Sequence, residues 1–257
     1  MGKAAQKHHT RGLKPRFVTA AAALFAAQSP IAAADPAAKV HLPQVVQGEL
    51  EFELLGGYQW WHGEDDNHER QFVGEVGYGL TPWWKTELGV GTTRIPHESY
   101  RLDEIEWENT FMLTEPGQYW LDLGLFAELA YDYPERHSAI ALGPMFQKEL
   151  GAIQANLNVI FERELGRDAA PGVAINCEWQ VKWRGNPRFE PGLQAIGTLG
   201  RSGNFGHETE ASIGPAFFGQ ILTGPRNKLK YDAAVLFGGN KDTPDTTVRF
   251  QIEYELY

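Results

Sequence analysis

Gly48-Glu49-Leu50-Glu51-Phe52-Glu53-Leu54-Leu55-Gly56-Gly57-Tyr58-Gln59-Trp60 is the stretch whose reading decides how this chain folds. Leu50, Phe52, Leu54, Tyr58 and Trp60 alternate with Glu49, Glu51, Glu53, Leu55 and Gln59. A helix would scatter those three carboxylates around its circumference, whereas a strand puts all of them on one face. The segment is a strand with an apolar side and an acidic side.

The same period of two continues to the C-terminus. Phe72, Val76, Tyr78 and Leu80 mark a second strand, Trp84, Leu88 and Val90 a third, and Ile105, Trp107, Phe111 and Leu113 a fourth. A fifth runs from Tyr119 to Leu129, a sixth carries Ile140, Leu142 and Phe146, and a seventh Ile153, Leu157, Val159 and Phe161. Val173 to Trp183 give the eighth, Phe189 to Leu199 the ninth, and Ile213, Phe217 and Ile221 the tenth. Leu229 to Phe237 and Val248 to Leu256 complete the set. Twelve strands are predicted, each of about ten residues, the length a tilted strand needs to cross a bilayer.

Upstream of this pattern the chain is built differently. Lys3, Lys7, Arg11, Lys14 and Arg16 precede an apolar run from Phe17 to Ala27, then Ala32-Ala33-Ala34, and no acidic residue occurs before Asp35. That is the layout of a secretory signal peptide over residues 1–34, with cleavage expected after Ala34. Gln28, Ser29 and Pro30 end the run short of the 18–20 apolar residues, approximately, that a membrane helix requires. With the signal removed, 18 Lys and Arg stand against 33 Asp and Glu, a net charge of −15. Such an acidic chain excludes nucleic acid as a partner, because nucleic acid is bound by basic surfaces. The single Cys177 excludes an internal disulfide.

Turn residues punctuate the strands unevenly. Thr81-Pro82, Glu115-Pro116-Gly117, Gly151, Gly185-Asn186-Pro187 and Gly224-Pro225 follow even-numbered strands, and longer polar loops such as Glu64-Asp65-Asp66-Asn67-His68 follow odd-numbered ones. Short turns on one side and longer loops on the other predict an all-β, transmembrane, antiparallel up-and-down β-barrel, with both chain ends and the short turns in the periplasm. A soluble sandwich or lipocalin-like barrel also alternates, but has no reason to sort its aromatics. Here Tyr78, Trp84, Tyr119, Trp183, Phe189 and Tyr254 fall near one end of their strands, and Tyr58, Trp60 and Tyr131 near the other. Rings at both ends with Leu, Val and Ile between them predict an interfacial girdle.

The last strand, Arg249-Phe250-Gln251-Ile252-Glu253-Tyr254-Glu255-Leu256-Tyr257, resembles the terminal strand of Gram-negative outer-membrane barrels, with the final Tyr257 offset by one from the apolar face. The resemblance covers residues 48–257 and implies a cell outer membrane location, with outer-membrane lipid, lipopolysaccharide and the barrel-assembly machinery as partners. More loosely the chain resembles the barrels grouped near the phenol-degradation-pathway transporters and copper-resistance B proteins. Residues 35–47, rich in Ala and Pro, are expected to form a periplasmic lead or a plug. Arg94 and Arg163, outward near the outer strand ends, suit lipopolysaccharide phosphates.

If the apolar face meets lipid, the other face lines the lumen. Glu49, Glu51, Glu53, Glu75, Glu87, Glu104, Glu106, Glu108, Asp122, Glu128, Glu162, Glu164, Glu178, Glu210, Asp232, Glu253 and Glu255 phase inward, against Lys85, Lys182, Arg184, Lys230 and Arg249. Five bases cannot pair seventeen acids, and a dry interior could not hold the surplus. A hydrated acidic lumen is expected, porin-like, passing small neutral or cationic solutes if it conducts. His62, His68, His97, His137 and His207 fall in or beside the outer loops with Glu64, Asp65 and Asp66. They are candidate zinc or copper ligands at the mouth, although no HxH or HxxxH spacing occurs and solvated loop histidines are the plainer account. A lipid-modifying barrel enzyme is the alternative. His137-Ser138 is the nearest approach to a nucleophilic pair, yet neighbours in a strand point to opposite faces and no GxSxG motif appears. No catalytic residue and no cofactor is implied.

Overall fold

A computed structural model describes residues 35–61, 68–133, 136–167, 169–206 and 209–257. The signal segment 1–34 with its cleavage point lies outside the described residues, as do His62, Glu64, Asp65, Asp66 and His207. Twelve strands follow in chain order: β1 (Leu50–Trp60), β2 (His68–Thr81), β3 (Trp84–Arg94), β4 (Arg101–Met112), β5 (Asp122–Asp132), β6 (His137–Leu150), β7 (Ile153–Leu165), β8 (Ala174–Trp183), β9 (Glu190–Arg201), β10 (Glu210–Leu222), β11 (Lys228–Gly238) and β12 (Thr246–Leu256). Each pairs antiparallel with its sequence neighbours, and β12 returns to β1 to close the sheet. The closing register runs from Leu50 opposite Leu256 to Trp60 opposite Thr246 without a slip.

The pleat sorts the side chains as the alternation predicts. On the outer face Leu88 is 62% exposed and Leu142 48%, whereas on the inner face Glu87 is 3% exposed and Gln194 1%. Apolar out and polar in is the inverse of a water-soluble fold, and only a hydrocarbon surround makes it favourable. The barrel is transmembrane. Aromatics close the belt at the end where the strand pairs meet in turns: Trp83, Trp84 and Phe111 stack with centroids 6.1–6.4 Å apart. At the loop end Tyr58 lies against Trp60 at 4.0 Å, and Tyr131 meets Tyr133 edge-on at 5.2 Å.

Two local expectations change. Connection 113–121 follows an even-numbered strand but is the longest of the barrel, not a short turn. Asp122 Oδ1 accepts from Gly117 N at 2.7 Å and Thr114 Oγ1 accepts from Leu123 N at 2.8 Å, so the extra residues are tied down while Trp120 projects outward. For the same reason Tyr119 and Leu121 precede β5. Asn109, a polar residue on the outer face, needs no bulge, since Thr86 stays opposite it in register and its Oδ1 accepts from Trp84 Nε1 at 3.0 Å.

The segment ahead of β1 does not hang below the turn end. From Gly48, whose N–H donates to Gly79 O at 2.8 Å, residues 47 back to 35 run up inside the barrel. Inward glycines seat this segment. A Cβ at Gly79 would stand 2.0 Å from Val46 O, one at Gly124 2.7 Å from Pro43 Cβ, and one at Gly57 1.8 Å from Pro36 O. Ala37 N donates to Gln71 Oε1 at 3.0 Å near the loop end. The interior also holds three apolar patches, of which one joins Ala37 to Leu55 and Val73, and another receives Ala38 beside Ile196, Phe218 and Leu236. In the third, Phe126 takes the His41 ring at 4.0 Å.

Leu88 sits mid-strand in the lipid-facing belt, so Leu88→Arg should cost about 2–4 kcal/mol of barrel stability. Denaturant titration of folding into lipid vesicles is the measurement. A neutral result would mean that this face does not meet hydrocarbon.

Candidate functional site

The inner wall is divided chemically. Over β1–β4 it is built of glutamate and glycine, because the strand register sets Glu53 beside Glu75, Gly89 opposite Glu75, and Glu106 opposite Gly89. One row away Gly77, Glu87 and Glu108 repeat the arrangement. The glycines make room for the carboxylates: a Cβ at Gly89 would meet Glu106 Oε1 at 2.1 Å, and one at Gly77 would meet Glu87 Cγ at 2.8 Å.

Lys39 of the inner segment reaches into this wall. Its Nζ is 3.1 Å from Glu53 Oε2 and 3.1 Å from Glu108 Oε2, and it also contacts Glu75 Oε2. Lys85 serves the next group, 2.7 Å from Glu51 and 3.1 Å from Glu87. Burial by itself disfavours a charged Lys39, but Glu108, Glu53 and Glu75 outweigh it and hold the ammonium well above the ordinary lysine range. Burial pushes His41 well below the usual imidazole range, with Lys39 and Lys85 adding to the shift. It packs on Phe126 as a neutral ring.

The opposite wall is a ladder of amides. Gln44 Nε2 of the inner segment donates to Gln147 Oε1 at 3.0 Å, and Asn156 Nδ2 donates to the same oxygen at 3.0 Å. Gln180 then donates to Asn156, and Gln194 to Gln180, each at 3.4 Å. Arg249 ends the ladder, bonding Gln194 Oε1 at 3.0 Å and facing Asp232 at 3.3 Å. Between the walls the segment leaves two polar cavities. The one toward the loop end, of about 140 Å³, is lined by Asp35, Glu104, Glu106, Glu128, Glu162 and Glu178 among others. The one toward the turn end, of about 380 Å³, is lined by Glu49, Glu51, Glu53, Glu87, Lys182 and Glu253 among others.

The acids expected on the inner face are distributed over these cavities and their ion pairs. Glu253 lies 3.0 Å from Lys230, and Glu255 lies 2.8 Å from Lys228. Glu162 accepts from Asn176 at 2.8 Å and Glu178 from Asn158 at 3.1 Å. Asp122 is buried in its turn, and Glu164 pairs with Arg201. Four charged partners are not among the inward groups read from the sequence. Lys39 precedes the first strand, and Lys228 opens β11. Glu190 is 5% exposed and takes Lys182 at 3.3 Å; it shares the inward parity of Gln194. Arg201 turns inward because the β8–β9 register slips between Ala174 and Asn176, where Gly200 has a φ of 91°. An extra residue reverses the parity that sequence reading assumes.

The candidate histidines among the described residues are spread out. His68 stacks on Tyr58 at 5.4 Å, His97 sits in the β3–β4 loop, and His137 Nε2 is 2.9 Å from Asp132 Oδ2. Among the described residues, each trio of ligand-type side chains with atoms within 4.8 Å of one another is made of glutamates, and none contains a histidine. Ser138 lies opposite Tyr131 and Leu165, both exposed on the outer face, so it points away from His137.

The sequence matches no protein-family model and no curated protein. Solved structures do match. The NanC porin superposes with a TM-score of 0.55 at 10% identity, covering 80% of this chain and 99% of that one. The COG4313 outer membrane channel from Pseudomonas putida F1 gives 0.55 at 14% identity, over 86% and 98% of the two chains. The KdgM porin in complex with disordered oligogalacturonate gives 0.50 at 5% identity, over 81% and 98%. This chain has the fold of outer-membrane porins. At these identities the likeness concerns the barrel and not the lining.

Gly57→Val should displace the top of the inner segment, since a side chain there overlaps Pro36 O, while the barrel itself still closes. The mature variant should then be cut by trypsin after Lys39, detected by mass spectrometry, where the parent barrel resists. Equal resistance in both would show that the segment is not seated by Gly57.

Proposed function

We propose that this chain is an outer-membrane channel for small neutral or cationic solutes, held nearly closed by residues 35–47 acting as an internal plug. The observation that carries the reading is the pair of polar, carboxylate-rich cavities separated by a single crossing segment. A closed strand system needs no such interior for its own stability, and water-filled lumina lined by one sign of charge select for the other. Removal of residues 1–34 during export would leave Asp35 as the first residue, already inside the barrel, so that the plug is tethered at Gly48 only.

The charge of the lining argues about cargo. Oligogalacturonate, the ligand seen with the KdgM porin, is a polyanion, and the Glu53, Glu75, Glu87, Glu106 and Glu108 wall would repel it. The resemblance to barrels near the phenol-degradation-pathway transporters and copper-resistance B proteins names two cargoes to assay, a small phenol and a copper ion. The carboxylate wall favours the cation.

In planar bilayers under a KCl gradient the refolded barrel should conduct weakly, with a reversal potential displaced toward that of K⁺. Deletion of residues 35–47 should raise the conductance and keep the cation preference. An unchanged conductance in the deletion variant would remove the plug from the proposal, and anion selectivity would remove the cargo class.

A further inference from the structure

The carboxylates around Lys39 are fixed by strand register, not by the lysine. Glu53, Glu75 and Glu108 project from β1, β2 and β4, and each side chain is at most 6% exposed. Lys39 arrives from outside the sheet, on the inner segment, and its side chain is 10% exposed. The barrel therefore carries a preformed cage, and the chain's own ammonium occupies it. An ammonium has three N–H donors and no acceptor; here it hydrogen-bonds Glu53 and Glu75 and lies 3.1 Å from Glu108 Oε2.

The cage holds more acidic side chains than that occupant bonds. Glu106 places a carboxylate oxygen within 4.8 Å of those of Glu75 and Glu108, and its Oε1 is buried without a hydrogen-bond partner. Glu87 stands in the same relation to Glu53 and Glu75. Counting Glu51, six acidic side chains surround Lys39 and Lys85, more than two ammonium groups can pair. The 3.1 Å contact to Glu53 is that of an N–H hydrogen bond, longer than the 2.0–2.6 Å, approximately, at which magnesium or calcium binds carboxylate.

We propose that this cage is a binding site for primary ammonium groups, with Lys39 as its built-in ligand. A solute bearing a primary amine takes the place of Lys39 when the inner segment withdraws. The cage exists whether or not the barrel conducts; only the exchange with a passing solute rests on the channel reading. Binding is therefore measured on the closed, refolded barrel, without any current.

Lys39→Ala deletes a propylammonium-sized piece of the side chain. Thermal unfolding of the mature variant in detergent, followed by the mobility shift of folded and unfolded barrel, should show saturable stabilisation by n-propylammonium chloride. The parent barrel should not respond, nor should the variant respond to tetramethylammonium, which has no N–H to donate. Lys39→Met removes the charge but keeps the bulk, and should not be rescued. Adding Glu53→Gln to Lys39→Ala should weaken the apparent affinity on the order of tenfold, the weight of one charge-assisted hydrogen bond. If Lys39→Ala fails to refold alone, its refolding yield against n-propylammonium concentration becomes the readout, and no recovery at any concentration overturns the proposal. Equal effects of the two ammonium salts, or rescue by calcium or magnesium at lower concentration than by n-propylammonium, overturn it as well.

Discussion

In hydrocarbon a backbone amide or carbonyl without a partner costs several kcal/mol, and a strand edge is a row of such groups. The pairing of β1 with β12 removes both edges at once. Every other property of the molecule depends on that closure. With the ring complete, the pleat divides each strand into a lipid side and a lumen side, and residues that would be liabilities on the first become the lining of the second. It also explains why the chain tolerates so low a mean hydropathy, −0.38, while crossing a membrane: half of every strand never meets lipid.

Closure creates a second constraint, which the interior has to meet. Twelve strands enclose more volume than their inward side chains fill, and most of those side chains are polar or charged. The protein resolves this with unlike walls. Carboxylates interleaved with glycines line β1–β4, and amides bonded in series line the wall from β6 to β9, ending on Arg249 of β12. The inner segment touches both, through Lys39 on the acidic side and Gln44 on the amide side. Charge, rather than apolar packing, holds its middle; the small apolar patches grip Ala37, Ala38 and His41 around it.

Much of the lining was legible because inward and outward parity is fixed by the pleat. Glu75, Glu87, Glu106 and Glu108 lie where a simple count from the strand signals puts them. The count fails where an extra residue enters a strand. Arg201 turns inward past Gly200, and near the irregularity in the β3–β4 register Asp103 accepts from Thr93 Oγ1 at 2.6 Å, one residue from the inward Glu104. No periodicity marks such places beforehand. The inner segment was harder still, since residues 35–47 have neither period. Its seat did leave a trace in the strands: Gly57, Gly79 and Gly124 are small, and Leu55, Val73 and Phe126 are apolar, at inward positions where a water-filled lumen has no use for either. Read together, they mark a surface made to receive another piece of chain.

The sequence by itself determined the strands, their number, the face each presents and the excess of acid over base within, because alternation is a local property carried by neighbouring residues. It left open whether residues 35–47 hang below the barrel or enter it, and which of the many acids would share a cation. Those are contacts between residues distant in sequence, Lys39 with Glu75 and Glu108, Pro36 with Gly57. They exist only once closure has brought four strands around one point and left a gap of the right depth, and that is a fact of tertiary structure.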